Sequence, residues 1–129
     1  ALAGGLIGGG AGKLVSAVAA ECDSLGKLSI PHATIATAAL VPAGDFRSPA
    51  GGVVSGMPAF CRVAGSLKPS SDSDIQFEIW MPAAGWNGKF EGVGNGGFAG
   101  VISYPQLGMA VKRLPTAPIG TARRTPKAW

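Results

Sequence analysis

The clearest signal along the chain is a period of two. Ile75, Phe77, Ile79 and Met81 alternate with Gln76, Glu78 and Trp80, which predicts a strand that buries its Ile-Phe-Ile-Met face. Pro82 should stop it. Before it, Phe60 to Leu67 alternates well enough for another strand, and Lys68 to Asp74 is a polar turn. After it, Ala83 to Gly88 turns the chain, with Asn87-Gly88 as the turn signal. Lys89 to Gly94 reads as a third strand, running into Asn95-Gly96-Gly97-Phe98-Ala99-Gly100. The period then changes. Leu107, Ala110 and Val111 fall at helical spacing behind Pro105, which suits a first helical position and predicts a helix over 105–113. Upstream, 28–56 alternates short β-branched runs with Pro-Ala-Gly turns, the pattern of short edge strands and loops.

Composition limits how large a core these elements can build. Gly and Ala number 21 each, about a third of 129 residues, so the 47% apolar fraction overstates the bulky side chains. One modest domain is what such a chain supports. No run of 18 apolar residues escapes a charge or a Gly cluster, so a membrane-spanning helix is not expected. One His and two Cys exclude a Cys/His zinc site.

The net charge of +4 is unevenly spread. Residues 1–91 carry six basic and seven acidic side chains, whereas 92–129 carry five basic and none acidic. The charge therefore lies in a tail rather than on a folded basic face, which weakens a nucleic-acid reading. Arg123, Arg124 and Lys127 alone would bind nucleic acid weakly and with strong salt dependence.

Residues 1–20 are small, apolar and free of acid, and read as the remnant of an export signal or a Gly-rich leader. Small residues around Ala17–Ala20 suit signal peptidase, although Lys13 interrupts the apolar run. Export would make Cys22 and Cys61 a disulfide; in a reducing compartment both would be buried thiols. His32, with no acid or Cys beside it, reads as a surface or packing residue. A phosphate-binding loop at Gly12-Lys13 fails, because Ile7 and Leu14 stand where Gly and Ser or Thr are needed.

Gly92, Gly94 and Gly97 match G-x-G-x-x-G, but no acid follows Glu91 to hold a ribose, so a dinucleotide site is excluded. The same loop could be a tight turn at a strand end, or an oxyanion hole in which backbone N–H groups approach a substrate with no Cβ in the way.

Cys22 to Arg113 resembles the N-terminal part of the tannase and feruloyl esterase family. The residues that carry the match are Pro58-Ala59-Phe60-Cys61-Arg62-Val63 and Ile75-Gln76-Phe77-Glu78-Ile79-Trp80-Met81-Pro82, followed by Gly85-Trp86-Asn87-Gly88-Lys89-Phe90 and Gly94-Asn95-Gly96-Gly97-Phe98-Ala99-Gly100. The resemblance implies an α/β fold, the mostly β N-terminal portion of an α/β-hydrolase core truncated before its nucleophile elbow. It implies a secreted or periplasmic serine esterase with a large lid, acting on hydroxycinnamoyl or galloyl esters. Cys22 and Cys61 match the family's first disulfide, and Gly96 and Gly97 its oxyanion loop. The structural calcium that the family carries in the lid has no counterpart in this stretch, and no other cofactor is implied. The partner is a small aromatic ester in the full-length parent, with neither nucleic acid nor membrane.

Two features depart from the family. No Ser stands in G-x-S-x-G and the only His lies upstream of the glycine loop, so nucleophile, acid and base are absent and 21–113 is expected to be inactive by itself. After Arg113 the family continues into a core strand and a Thr-Asp-Thr-Gly-His stretch. Here 114–129 reads LPTAPIGTARRTPKAW, a basic, Pro-containing tail expected to be out of frame or disordered. A different reading makes the chain a small exported β-rich module that binds phenolic or sugar ligands without catalysis, with Trp80 and Trp86 stacking on the ligand. Phe77, Ile79 and Val93, left without later strands and helices, would form a sticky edge and depress solubility.

Overall fold

The computed structural model describes residues 18–85, 89–94, 100–113 and 119–125. Residues 18–24 are helical (α1), continued by a 3-10 turn at Leu25–Lys27. The strands are β1 (Ala33–Val41), β2 (Gly44–Arg47), β3 (Val53–Met57), β4 (Phe60–Leu67), β5 (Asp74–Pro82), β6 (Glu91–Gly92) and β7 (Ile119–Thr125), with α2 (Tyr104–Arg113) between the last two. Five strands form one sheet in the order β1-β4-β5-β7-β6, and β2 and β3 form a separate hairpin.

The sheet is antiparallel except at its far end, where β6 and β7 run parallel. A parallel pair needs a crossover, and α2 supplies it. The unit β6–glycine loop–α2–β7 is thus a βαβ connection appended to an antiparallel meander. The strands over 60–67 and 74–82 and the helix over 104–113 lie within a residue of their predicted bounds. The stretch 28–56 holds one longer strand than expected, β1, which is the sheet's edge, and the hairpin.

Register decides which side chains share a face, because directly paired residues project the same way. Phe60 pairs with Pro82, Arg62 with Trp80 and Ala64 with Glu78, while Cys61 pairs with Met81, Val63 with Ile79 and Gly65 with Phe77. The first set points towards α2, where Phe60, Trp80, Leu107 and Val111 are fully buried together with Val54, Met57, Ala110 and Tyr104. Phe60 and Trp80 stack with ring centroids 4.5 Å apart, and Phe46 from the hairpin meets both edge-on. The hairpin also meets the helix at Gly108, where a Cβ would lie 2.3 Å from Val54 Cγ1. Lys112 Nζ donates to the Ser55 carbonyl at the same contact.

The other face holds Cys22, Cys61 and Val63, with Leu25, Ile35, Ala38, Phe77, Ile79 and Met81 half-buried around them. Cys22 and Cys61 are bonded, with Cα atoms 5.7 Å apart. The bond pins α1 to the sheet across 39 residues of sequence, worth about 4 kcal/mol in the chain-entropy model. It covers only part of the face. A groove of about 560 Å³ runs beside it, lined among others by Leu28, Ile30, Phe77, Ile79 and Phe90.

Two expectations change here. The alternation in β5 is correct, but the deeply buried face is the one carrying Glu78 and Trp80, not the Ile-Phe-Ile-Met face. Alternation separates two faces and does not say which one the rest of the chain covers. Nor is β5 an exposed edge, because β4 and β7 pair with it on both sides. Phe77 and Ile79 belong to an open face, and Val93 packs on the opposite side, against the α2 core.

Residues 119–125, within the tail expected to be out of frame or disordered, form β7. Backbone pairing does not require side-chain periodicity: β5 offers a row of N–H and C=O groups that any compatible backbone can satisfy. No helix among the described residues is long and apolar enough to cross a membrane.

Candidate functional site

Gly96 and Gly97 lie outside the described residues, as do Trp86 and the Asn87-Gly88 turn. What the structure describes is the frame that carries the glycine loop. The entering stem is β6, held to β7 through Glu91–Ile119 and Gly92–Gly120 pairs. A Cβ on Gly92 or Gly94 would meet nothing within 4 Å, so packing does not demand glycine there. The leaving stem begins at Gly100, whose φ of 55° is the left-handed region that glycine occupies without strain. Ile102 packs on the α2 core, and the Ser103 carbonyl accepts from the Leu107 N–H at 3.1 Å to open the helix. The loop therefore leads directly into the N-terminus of α2, whose dipole favours negative charge.

The first residue of α2 is tied into the sheet by a buried carboxylate. Glu78, 2% exposed, accepts two hydrogen bonds from Arg62, from Nε at 3.0 Å and from Nη2. It also accepts one from Trp80 Nε1 at 2.9 Å and one from the Tyr104 hydroxyl at 3.2 Å. Both carboxylate oxygens are thus satisfied inside the apolar core, as a buried charge requires. Burial raises the Tyr104 hydroxyl above its ordinary value, and the negative charge of Glu78 pushes it further the same way. Burial alone would lower Arg62, but the hydrogen bond and charge of Glu78 outweigh it and hold the guanidinium above its ordinary value. Arg62 also lies over the Phe46 ring, 5.6 Å from its centroid.

The residue patterns single out neither Glu78 nor Arg62 as more than parts of alternating strands. The signal was present: an acid inside an otherwise apolar strand, and an arginine in the strand before it. Tyr104 could not be found this way, because only the fold brings it 26 residues back to Glu78. Trp80 is fully buried and its indole N–H is committed to Glu78, so it is not available to stack on a ligand.

His32 is an exposed turn residue with φ 61°, and its carbonyl accepts from the Lys68 N–H. Among the described residues no group of three or more His, Cys, Asp or Glu gathers that could hold a metal ion.

The frame has solved relatives. An esterase from Aspergillus oryzae superposes with a TM-score of 0.69 at 24% identity, over 82% of this chain and 22% of that one. Feruloyl esterase B from Aspergillus oryzae does so with a TM-score of 0.70 at 29% identity, over 84% of this chain and 22% of that one. In sequence, the chain is 49% identical over 98 residues to an uncharacterized esterase of Xanthomonas campestris, and 34% identical over 105 residues to a probable feruloyl esterase B-1 of Aspergillus oryzae. The chain is similar, over a stretch of their length, to feruloyl esterases and related esterases. No family model matches it. It spans 17% and 19% of the length of those two curated relatives, so it corresponds to under a fifth of such an esterase. The fold is a mostly β portion with two helices, shared with esterases, and the Cys22–Cys61 disulfide suits an oxidising compartment.

Proposed function

We propose that this chain is the N-terminal sheet and oxyanion loop of an exported serine carboxylic-ester hydrolase acting on hydroxycinnamoyl or galloyl esters. In this reading Gly96 and Gly97 present backbone N–H groups to the developing oxyanion, as the loop between an early strand and its helix does in α/β-hydrolases. The observation that carries the proposal is the β6–glycine loop–α2–β7 crossover in a chain 49% identical to an esterase. A strand end, a loop of glycines and a helix N-terminus together supply donors and a favourable dipole, with space for a substrate to approach.

The chemistry is divided. This stretch would stabilise charge on the tetrahedral intermediate, while the attacking Ser and its His and acid come from sequence beyond it. The chain by itself should therefore leave the methyl esters of ferulic and gallic acid intact.

The test is a chimera in which residues 22–113 replace the matched stretch of the Xanthomonas esterase. The chimera should hydrolyse one of the two methyl esters, and Gly97→Ala should lower kcat by about 100-fold with little change in KM. A chimera whose kcat is indifferent to substitution at both Gly96 and Gly97 would remove the oxyanion role. Turnover of simple acetyl esters alone would remove the aromatic substrate class.

A further inference from the structure

We infer that the buried Arg62–Glu78 pair is a register lock, a conformational device that decides which side chains of β5 face α2. The inference does not rest on the oxyanion reading. It starts from a mismatch between pattern and burial. One face of β5 carries Ile75, Phe77, Ile79 and Met81, the other Gln76, Glu78 and Trp80, and the second is the one sealed beneath α2. The apolar pattern of a strand normally pins its register, because a slip of one residue turns every side chain to the opposite face. Here that pattern favours the slipped register, which would place Phe77, Ile79 and Met81 under the helix. The handedness of the crossover sets the side of the sheet on which α2 lies, but not which β5 residues point to it.

The disulfide and the connecting turn do not make this choice. Cys61 is bonded to Cys22, which fixes the phase of β4 rather than that of β5. In the turn from Lys68 to Ser73, Ser70 bonds with Asp72 and Ser73, so those bonds travel with the turn. Arg62 and Glu78 differ, because they sit diagonally across the two strands: Arg62 pairs with Trp80 and Ala64 with Glu78. In this register the carboxylate accepts from Arg62 Nε and Nη2, from Trp80 Nε1 and from the Tyr104 hydroxyl. A slip of one residue would send Glu78 and Trp80 to the groove side. Arg62 would stay beneath α2 without its carboxylate, and Tyr104 would lose its acceptor. A buried charge stripped of its partner is strongly unfavourable, so the pair outweighs the apolar preference. One other contact is peculiar to this register: the Phe77 ring lies against Gly65, where a Cβ would stand 2.8 Å from Phe77 Cζ. That contact provides the control.

The test is made on the full chain by NMR. Arg62→Met, Glu78→Leu and Tyr104→Phe together replace the network with apolar side chains of similar size. Cross-strand contacts of Val63 report the register, since Ile79 lies opposite it now and residue 78 or 80 would after a slip. The triple variant should show two sets of resonances across 60–67 and 74–82, with the slipped set in about a tenth or more of the molecules. Phe77→Leu, which weakens the Gly65 contact and leaves the network intact, should show one set with Val63 opposite Ile79. A triple variant that keeps only the present register overturns the inference. So does a Phe77→Leu variant that splits the register as much.

Should the triple variant fail to fold, Glu78→Gln decides the case, because it keeps the shape of the side chain and one acceptor oxygen while removing the charge. Saturation-transfer NMR should then reveal the slipped register as a minor state, raised at least about tenfold over the unmodified protein. A Glu78→Gln variant with no such rise overturns the inference.

Discussion

The two faces of the sheet reach stability by different means. On the α2 face, a helix and a hairpin close over Phe60 and Trp80 until neither is accessible, and Glu78 inside is bonded to Arg62 and Trp80. On the other face, a short helix is stapled down through Cys22–Cys61, and beyond the staple the apolar surface stays open, with Leu28, Ile30 and Phe90 exposed. The closed face is held by shape and by one buried carboxylate. The half-open face is held by a covalent bond beside a partly buried apolar cluster. The disulfide gives the half-open face part of the stability that a closed apolar core gives the other.

The contrast can be broken most severely at the staple. Replacing Cys22 and Cys61 with Ser should cost about 4 kcal/mol in urea unfolding, and reduction by dithiothreitol should reproduce the loss. Retention of full stability after reduction would mean that the open face closes by packing alone.

Next in size is Glu78→Ala, which leaves Arg62 buried beside Trp80 without its counter-charge. Because the Arg62 side chain keeps 16% exposure, the loss should fall near the lower end for broken buried pairs, about 3 kcal/mol. The same network sets a pH dependence. The folded-state values of Tyr104 and Arg62 are both raised, so their contribution is complete at neutral pH, below the unfolded values of both. Stability should hold to about pH 10, the ordinary value for a tyrosine, and fall as pH climbs through the raised Tyr104 value. Tyr104→Phe should remove that first alkaline step, which thermal melts across pH 8–11 would reveal.

Gly108→Ala sharpens the comparison on the closed face. Its new methyl would press on Val54, so the helix and hairpin must separate at a cost of about 2 kcal/mol, read from urea midpoints. The smallest effect belongs to the open face. Phe90 is 70% exposed, so Phe90→Ser should shift stability by less than about 0.5 kcal/mol while raising the concentration at which the chain stays monomeric in sedimentation.

Local sequence determined a good deal of this protein. A period of two in 60–67 and 75–81 is a property of strands wherever they pack, so β4 and β5 were legible. The helical spacing behind Pro105 made α2 legible for the same reason. The paired count of cysteines, with the motifs shared with esterases, brought the disulfide and the family within reach. Tertiary structure decided what periodicity cannot express. It chose the Glu78–Trp80 face of β5 as the sealed one, because α2 and the hairpin dock there, while among the described residues α1 and its 3-10 turn cover part of the apolar groove side. It made β7 from residues with no strand pattern, because pairing to β5 is a backbone matter. It also joined Arg62, Glu78 and Tyr104, which lie on three separate elements, since a buried charge finds its partners in space rather than along the chain.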